Sequence, residues 1–171
     1  MAEGFAKEFK REIAERIGES RARLGKCLDG LDAEDVWRRP NGSSNSVGNL
    51  LLHLDGNVTQ WILSGFGGAE DRRRRDREFA AREGGGKEDL LARLGSTLDA
   101  ALALLAGAEE AELLRVRPVQ AFEASGISIF VHVTEHLSYH TGQIAFWTKL
   151  LKDKDLGFYA GIDLNRRAGA P

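Results

Sequence analysis

The sequence has little of what would staple, kink or anchor a chain. One cysteine, Cys27, among 171 residues excludes an internal disulfide framework and fits a reducing compartment. Cys27 lies in a charged helical stretch with no histidine close by, so it reads as a buried or half-buried structural thiol. The three prolines, Pro40, Pro118 and Pro171, fall outside the long periodic segments and leave those free to be unbroken helices. No apolar run approaches the roughly 18 residues of a membrane span. The opening Met1-Ala-Glu-Gly-Phe-Ala-Lys7 lacks the apolar core of a signal peptide. These absences read as a soluble, cytoplasmic protein. A formal charge of −2 gives no reason to expect nucleic acid or an anionic membrane as partner. No internal repeat is visible.

What is present is ordinary for a globular chain: 42% apolar and 29% charged residues, in a length that can bury one core. Residues 1–171 are read as a single domain. Residues 3–29 predict a first helix, with Phe5, Phe9, Ile13, Ile17, Leu24 and Leu28 at helical spacing. The polar run Asn41–Ser46 supplies N-caps for a second helix over 46–64, striped by Val47, Leu50, Leu51, Leu54, Val58, Trp61 and Ile62. A third, 87–106, carries Leu91, Leu94, Leu98, Ala101 and Leu105, the spacing of bundle packing. Residues 113–123 alternate in part and contain Pro118, which predicts an extended connector or a short edge strand. A fourth helix spans 126–152, and the tail with Phe158, Tyr159 and Ile162 is expected to pack back on the bundle. The fold class is all-α, a four-helix bundle. The long link between the second and third helices lets them run parallel, so the topology is up-down-down-up.

That link, residues 65–86, contains Arg72-Arg-Arg-Arg75, at first glance a phosphate-binding strip. Within 70–78, however, five arginines face Glu70, Asp71, Asp76 and Glu78, a local net of +1 (five minus four). A strip that gains by neutralising phosphates needs uncompensated charge. The run is read as a solvated or salt-bridged loop.

The four histidines carry the chemical signal. His53 lies in the second helix; His132, His136 and His140 lie in the fourth, spaced by four. Imidazoles at i and i+4 can share an ion, whereas i and i+8 are separated by about 12 Å of rise. His132 and His140 therefore cannot ligate together. The apolar seam 130, 133, 137, 144, 147, 151 has His140 as its missing member, with His136 beside it and His132 further round. His53 borders the apolar stripe of the second helix. A single buried histidine is usually a hydrogen-bonded core residue. An inward HxxxH pair with a third ring from another helix is harder to satisfy without an ion, because buried imidazoles need partners. His53, His136 and His140 are accordingly the expected metal ligands. Three imidazoles suit zinc, nickel, iron or cobalt better than magnesium or calcium, and they leave a coordination position open. Such an ion lowers the pKa of a bound water or substrate thiol. Asn57, one turn after His53, and Tyr139 and Gln143, near the pair, are candidates for fixing the rings or touching substrate. Glu135 adjoins His136 and so points about 100° away on the helix, a poor general base.

The stretches Asn45-Ser-Val-Gly-Asn-Leu-Leu-Leu-His53-Leu-Asp-Gly-Asn57 and Glu135-His136-Leu-Ser-Tyr-His140-Thr-Gly-Gln-Ile144 resemble the DinB-like, YfiT-like metalloenzyme superfamily. An Arg-rich run ending like Arg77-Glu-Phe79 also recurs there. The resemblance covers essentially the whole chain. It implies an up-down-down-up bundle, often a homodimer, holding zinc or nickel on three histidines that correspond to His53, His136 and His140. It also implies a small-molecule substrate and a low-molecular-weight thiol such as bacillithiol or mycothiol as co-substrate, in a transferase or hydrolase type of reaction. The alternatives are a non-catalytic, stress-related metal-binding bundle, or a partner-binding bundle whose histidines are vestigial.

Overall fold

The structure is a computed structural model that describes residues 2–167. Helix α1 (Ala2–Asp29) is followed by a short α2 (Ala33–Trp37), then α3 (Val47–Val58), which widens into a π-helical extension over Thr59–Phe66. A short α4 (Arg75–Ala80) sits in the long link, before α5 (Lys87–Gly107) and a short α6 (Glu110–Leu114). Strands β1 (Val116–Val119) and β2 (Phe122–Ser125) form an antiparallel hairpin, and α7 (Gly126–Lys152) closes the bundle.

Contacts between the long helices fix their directions. Lys10 near the start of α1 donates to the carbonyls of Ala106 and Ala108, while Lys87 at the start of α5 donates to Leu28 and Leu31, so α1 and α5 are antiparallel. Asp55 of α3 meets Arg93 and Thr97 of α5, and Gly67, further on, meets Leu104, so these two run parallel. His53 lies against His136 and His140, and Asn57 against His132, which makes α3 and α7 antiparallel. The order is up-down-down-up.

The ends are set locally. Ser46 caps α3: its Oγ accepts from the Asn49 N–H at 3.1 Å, and Asn49 Oδ1 accepts back from the Ser46 N–H at 3.1 Å. Ser125 caps α7, which stops at Asp153 in a left-handed conformation. Between them the stripes meet in one core that includes Ile17, Leu24, Leu51, Leu54, Ile62, Leu94, Leu98, Phe130, Val133 and Leu137. Full burial of each such side chain contributes roughly 1.5–3 kcal/mol.

Several expectations are corrected. The 113–123 connector is a helical turn and a true hairpin, because Val116 pairs with Ser125 and Val119 with Phe122 across a two-residue turn. Arg117 locks the hairpin down, donating to the carbonyls of Phe66 and Glu112. Phe5 and Ile162 are exposed, one beyond the packed part of α1 and the other beyond the tail contact made by Phe158. Tyr159, about half exposed, accepts a hydrogen bond from Arg23. By length and composition α5 passes the test for a membrane-spanning helix, as the core helix of a globular bundle also can. Here its Leu90, Leu94, Leu98, Ala101 and Leu105 are buried in the bundle core.

Cys27 is fully buried, and burial pushes its thiol up to about 11 from an ordinary 9.0 despite a hydrogen bond with Thr148. Two outcomes follow. Iodoacetamide at neutral pH should label the folded chain far more slowly than the unfolded one, by mass spectrometry. Because the folded thiol keeps its proton longer than the unfolded one, its contribution to stability is intact below about pH 9 and is lost as pH rises towards 11. Denaturant midpoints across that window check the sign.

Candidate metal centre

Two helices bring three imidazoles together. His53 projects from α3 one turn after Asn49, and His136 and His140 project from consecutive turns of α7. His136 Nε2 lies 3.2 Å from His53 Nε2 and 3.2 Å from His140 Nε2. One ligand atom from each of the three residues lies within 4.8 Å of the other two. His53 and His140 are buried, and His136 is half-buried.

The outward nitrogens decide where the lone pairs point. His53 Nδ1 is 2.9 Å from Glu78 Oε2, so it carries the hydrogen and donates to that carboxylate. His140 Nδ1 is 2.8 Å from the side-chain oxygen of Gln143 and donates in the same way. Both Nε2 atoms are therefore bare and aim at His136. A hydrogen on His136 Nε2 satisfies only one of them; a hydrogen on Nδ1 leaves three lone pairs converging. In either case His136 Nδ1 is buried and has no partner among the described residues. Protonation does not resolve the conflict, since burial and then the neighbouring imidazoles of His140 and His53 hold His136 down to about 3. Burial likewise lowers His140, against a raising contribution from Gln143. Three neutral nitrogen donors facing one point fit a divalent transition-metal ion, and the donor set leaves room for another ligand.

The long link supplies what sequence reasoning missed. Arg72 pairs with Glu70 at the surface, as a salt-bridged loop would have it. Arg73 does not: its side chain is 4% exposed, and its Nε donates to Glu78 Oε1 at 2.7 Å. Residues 75–80 form α4, which is strapped to α3. Asn49 Nδ2 donates to the carbonyls of Glu78 and Ala81 at 2.8 and 2.9 Å, and Arg39 Nη2 donates to the Phe79 carbonyl at 2.6 Å. The strap lays the Phe79 ring 4.6 Å from His53 and puts Glu78 behind it. Burial pushes the Glu78 carboxyl up, but hydrogen bonds from Arg73 and His53 more than reverse this, leaving it below the usual carboxylate range. A charge-dense segment without periodicity concealed all of this. The one signal was the recurring Arg77-Glu-Phe79 run.

The remaining candidates separate. Gln143 orients His140, and the exposed Tyr139 ring stands edge-on 4.9 Å from it. Asn57 is buried beside His132 rather than His53, its Nδ2 3.5 Å from His132 Nε2, and its Oδ1 has no partner among the described residues. His132 stays outside the trio, stacked on Trp61 at 3.8 Å. Glu135 is exposed and borders a groove with α1. A cleft of about 680 Å³ is lined by Tyr139 and Gln143, both in contact with His140, and by the apolar Val47, Leu50, Phe146 and Trp147.

The family profile described as mycothiol-S-transferase matches residues 13–148, a span from α1 to α7 that contains all three histidines. The chain belongs to the mycothiol-S-transferase family. No curated protein matches this family member. Three solved structures share its fold: a conserved protein from Enterococcus faecalis, 16% identical with a TM-score of 0.69 over 84% of this chain and 97% of that one; a DinB-like protein from Bacillus subtilis, 16% identical with a TM-score of 0.66 over 86% and 96%; and a DinB-like protein from Bacillus cereus, 13% identical with a TM-score of 0.65 over 85% and 91%. The chain of this mycothiol-S-transferase family thus shares its fold with proteins described as DinB-like.

Proposed function

We propose that the protein is a metal-dependent S-transferase that joins a small thiol of the mycothiol type to a small electrophile. The observation that carries this is the convergence of three Nε2 atoms around His136, whose conflict of lone pairs a cation relieves; the family match supplies the thiol. His53, His136 and His140 hold the ion, zinc or nickel by donor type. When bound, such an ion supplies Lewis acidity that brings the pKa of a sulfur or water ligand towards neutrality. The chain's own residues do the rest. Glu78 and Gln143 fix two of the rings, and Val47, Leu50, Phe146 and Trp147 give the cleft beside Gln143 apolar lining for the electrophile. In the reaction the thiol releases its proton to solvent, the S–C bond forms, and the leaving group departs with its electron pair.

The test is turnover by purified protein loaded with zinc or nickel, using mycothiol, bacillithiol or glutathione with a haloaromatic electrophile. Mycothiol should serve best. A chelator should lower the rate by about 100-fold or more, since metal polarisation supplies several kcal/mol, and added metal should restore it. Stoichiometric loading without turnover on these thiols or on a hydrolase panel would leave a non-catalytic metal-binding protein.

A further inference from the structure

Glu78 is not one of the three histidines, yet it is placed more carefully than a surface carboxylate needs to be. Its Oε2 takes the His53 Nδ1 hydrogen at 2.9 Å, and the same oxygen accepts from Arg73 Nη2 at 2.9 Å while Oε1 accepts from Arg73 Nε at 2.7 Å. Arg73 is itself held, its Nη1 donating to Gln60 Oε1 at 2.9 Å. Arg73 Nη2 also lies 3.0 Å from His53 Nδ1, but a guanidinium has no acceptor, so the ring hydrogen can go only to Glu78.

The seat of this pair is Gly56, one turn after Leu52 on α3. A Cβ there would lie 2.1 Å from Glu78 Oε1, 2.9 Å from its Cδ and 3.0 Å from Arg73 Nε. The carboxylate–guanidinium pair occupies the space a side chain would fill. Glycine inside a helix is disfavoured relative to alanine. Helix propensity alone would favour alanine at this site, but a Cβ there would displace the Glu78 carboxylate from its present place against His53.

We propose that the Arg73–Glu78 pair, seated on Gly56, is the positioning device that presents His53 to the metal, holding the Nδ1–H tautomer so that the Nε2 lone pair faces His136 and His140. This inference rests on the three-histidine metal reading. The connection between α3 and α5 then controls metal affinity without donating a ligand.

Competition with a chromophoric chelator measures cobalt and zinc affinity for wild type, Glu78→Ala, Gly56→Ala and the double variant. Each single change is expected to weaken binding by about 10–100-fold, as loss of a histidine-orienting partner does. The double variant should bind no worse than Glu78→Ala alone, because the severe clash at position 56 is with the Glu78 carboxylate, and Arg73, once its carboxylate partner is gone, can give way to a Cβ 3.0 Å from its Nε. Glu78→Gln, whose side-chain oxygen can still accept, should recover part of the loss. Nitrogen-15 shifts of His53 should show the Nδ1–H tautomer in wild type and its loss in Glu78→Ala. If Glu78→Ala does not fold, Gly56→Ala reads the same effect with the carboxylate intact. Glu78→Ala and Gly56→Ala binding within about twofold of wild type, below the usual effect of an outer partner, would overturn the inference while leaving the centre standing. A wild-type chain that binds neither cobalt nor zinc would overturn the three-histidine reading itself.

Discussion

Replacing His136 by alanine should abolish divalent-ion binding at the proposed centre, lowering affinity by more than the roughly 100-fold that loss of an outer partner brings. His136 is the middle ring, 3.2 Å from both other Nε2 atoms, so its removal leaves two donors on separate helices with nothing between them. The loss should be visible as stability. At metal concentrations about 1,000 times Kd, binding adds about 4 kcal/mol to the folded state. For a chain of this size that corresponds to about 8–16 °C in Tm. Wild type should therefore melt about that much higher with zinc or nickel than with chelator, and His136→Ala should show no such difference. In chelator the gap between the two proteins should narrow, because alanine removes the buried Nδ1 that lacks a partner and the convergence of lone pairs with it. Calorimetry and metal analysis of the same samples decide it. Retention of one ion per chain by the variant would exclude a centre built on His136.

The second large effect lies in the packed core of α7, away from the three histidines. Phe130 is fully buried on α7 and meets the Phe66 ring edge-to-face, centroids 5.0 Å apart. Phe66 ends the π-helical extension of α3, and Arg117 of the hairpin lies over its ring at 4.5 Å while donating to its carbonyl. Phe130→Ala removes a large, fully buried ring together with its edge-to-face contact with Phe66, and leaves a cavity in the core. The expected cost is about 3–5 kcal/mol, a fall of about 6–20 °C in Tm measured in chelator. Because the change leaves the three imidazoles untouched, the folded variant should still load metal. A loss under about 1 kcal/mol would place this ring outside the core.

The two experiments separate what periodicity reveals from what it hides. Phe130, Val133, Leu137, His140 and Ile144 were legible as one buried seam, since a helix repeats every 3.6 residues and a buried stripe must follow that period. The span 126–152 was legible too, down to its ends. The approach of His53 to His136 and His140 followed from the same stripes, because antiparallel neighbours facing one core bring their edge residues together. The role of Gln143 beside His140 was within reach for the same reason: three residues apart on one helix, they share a face.

Nothing of this kind marked residues 70–80. Arg73, Glu78 and Phe79 are placed by partners far away in sequence: Asn49, Arg39, Gln60 and the bare backbone at Gly56. A charged side chain in a short segment has the same sequence signature whether it is solvated or buried in an ion pair. Which one it is depends on whether another element offers a complementary charge at the right distance. The π-helical turns after Val58 and the pairing of the connector into a hairpin also escaped, for they answer to packing against α5 and α7 rather than to local preference.

By itself the chain of residues determined four amphipathic helices, their order, and three imidazoles on inward faces, because burial imposes a period that can be counted. Only the tertiary structure decided which nitrogen of each ring points inward, through Glu78 and Gln143. It alone showed that Arg73 leaves the surface run to join Glu78 behind His53. Tautomer and ion pairing are settled by single distances between remote groups, and no repeat along a sequence encodes those.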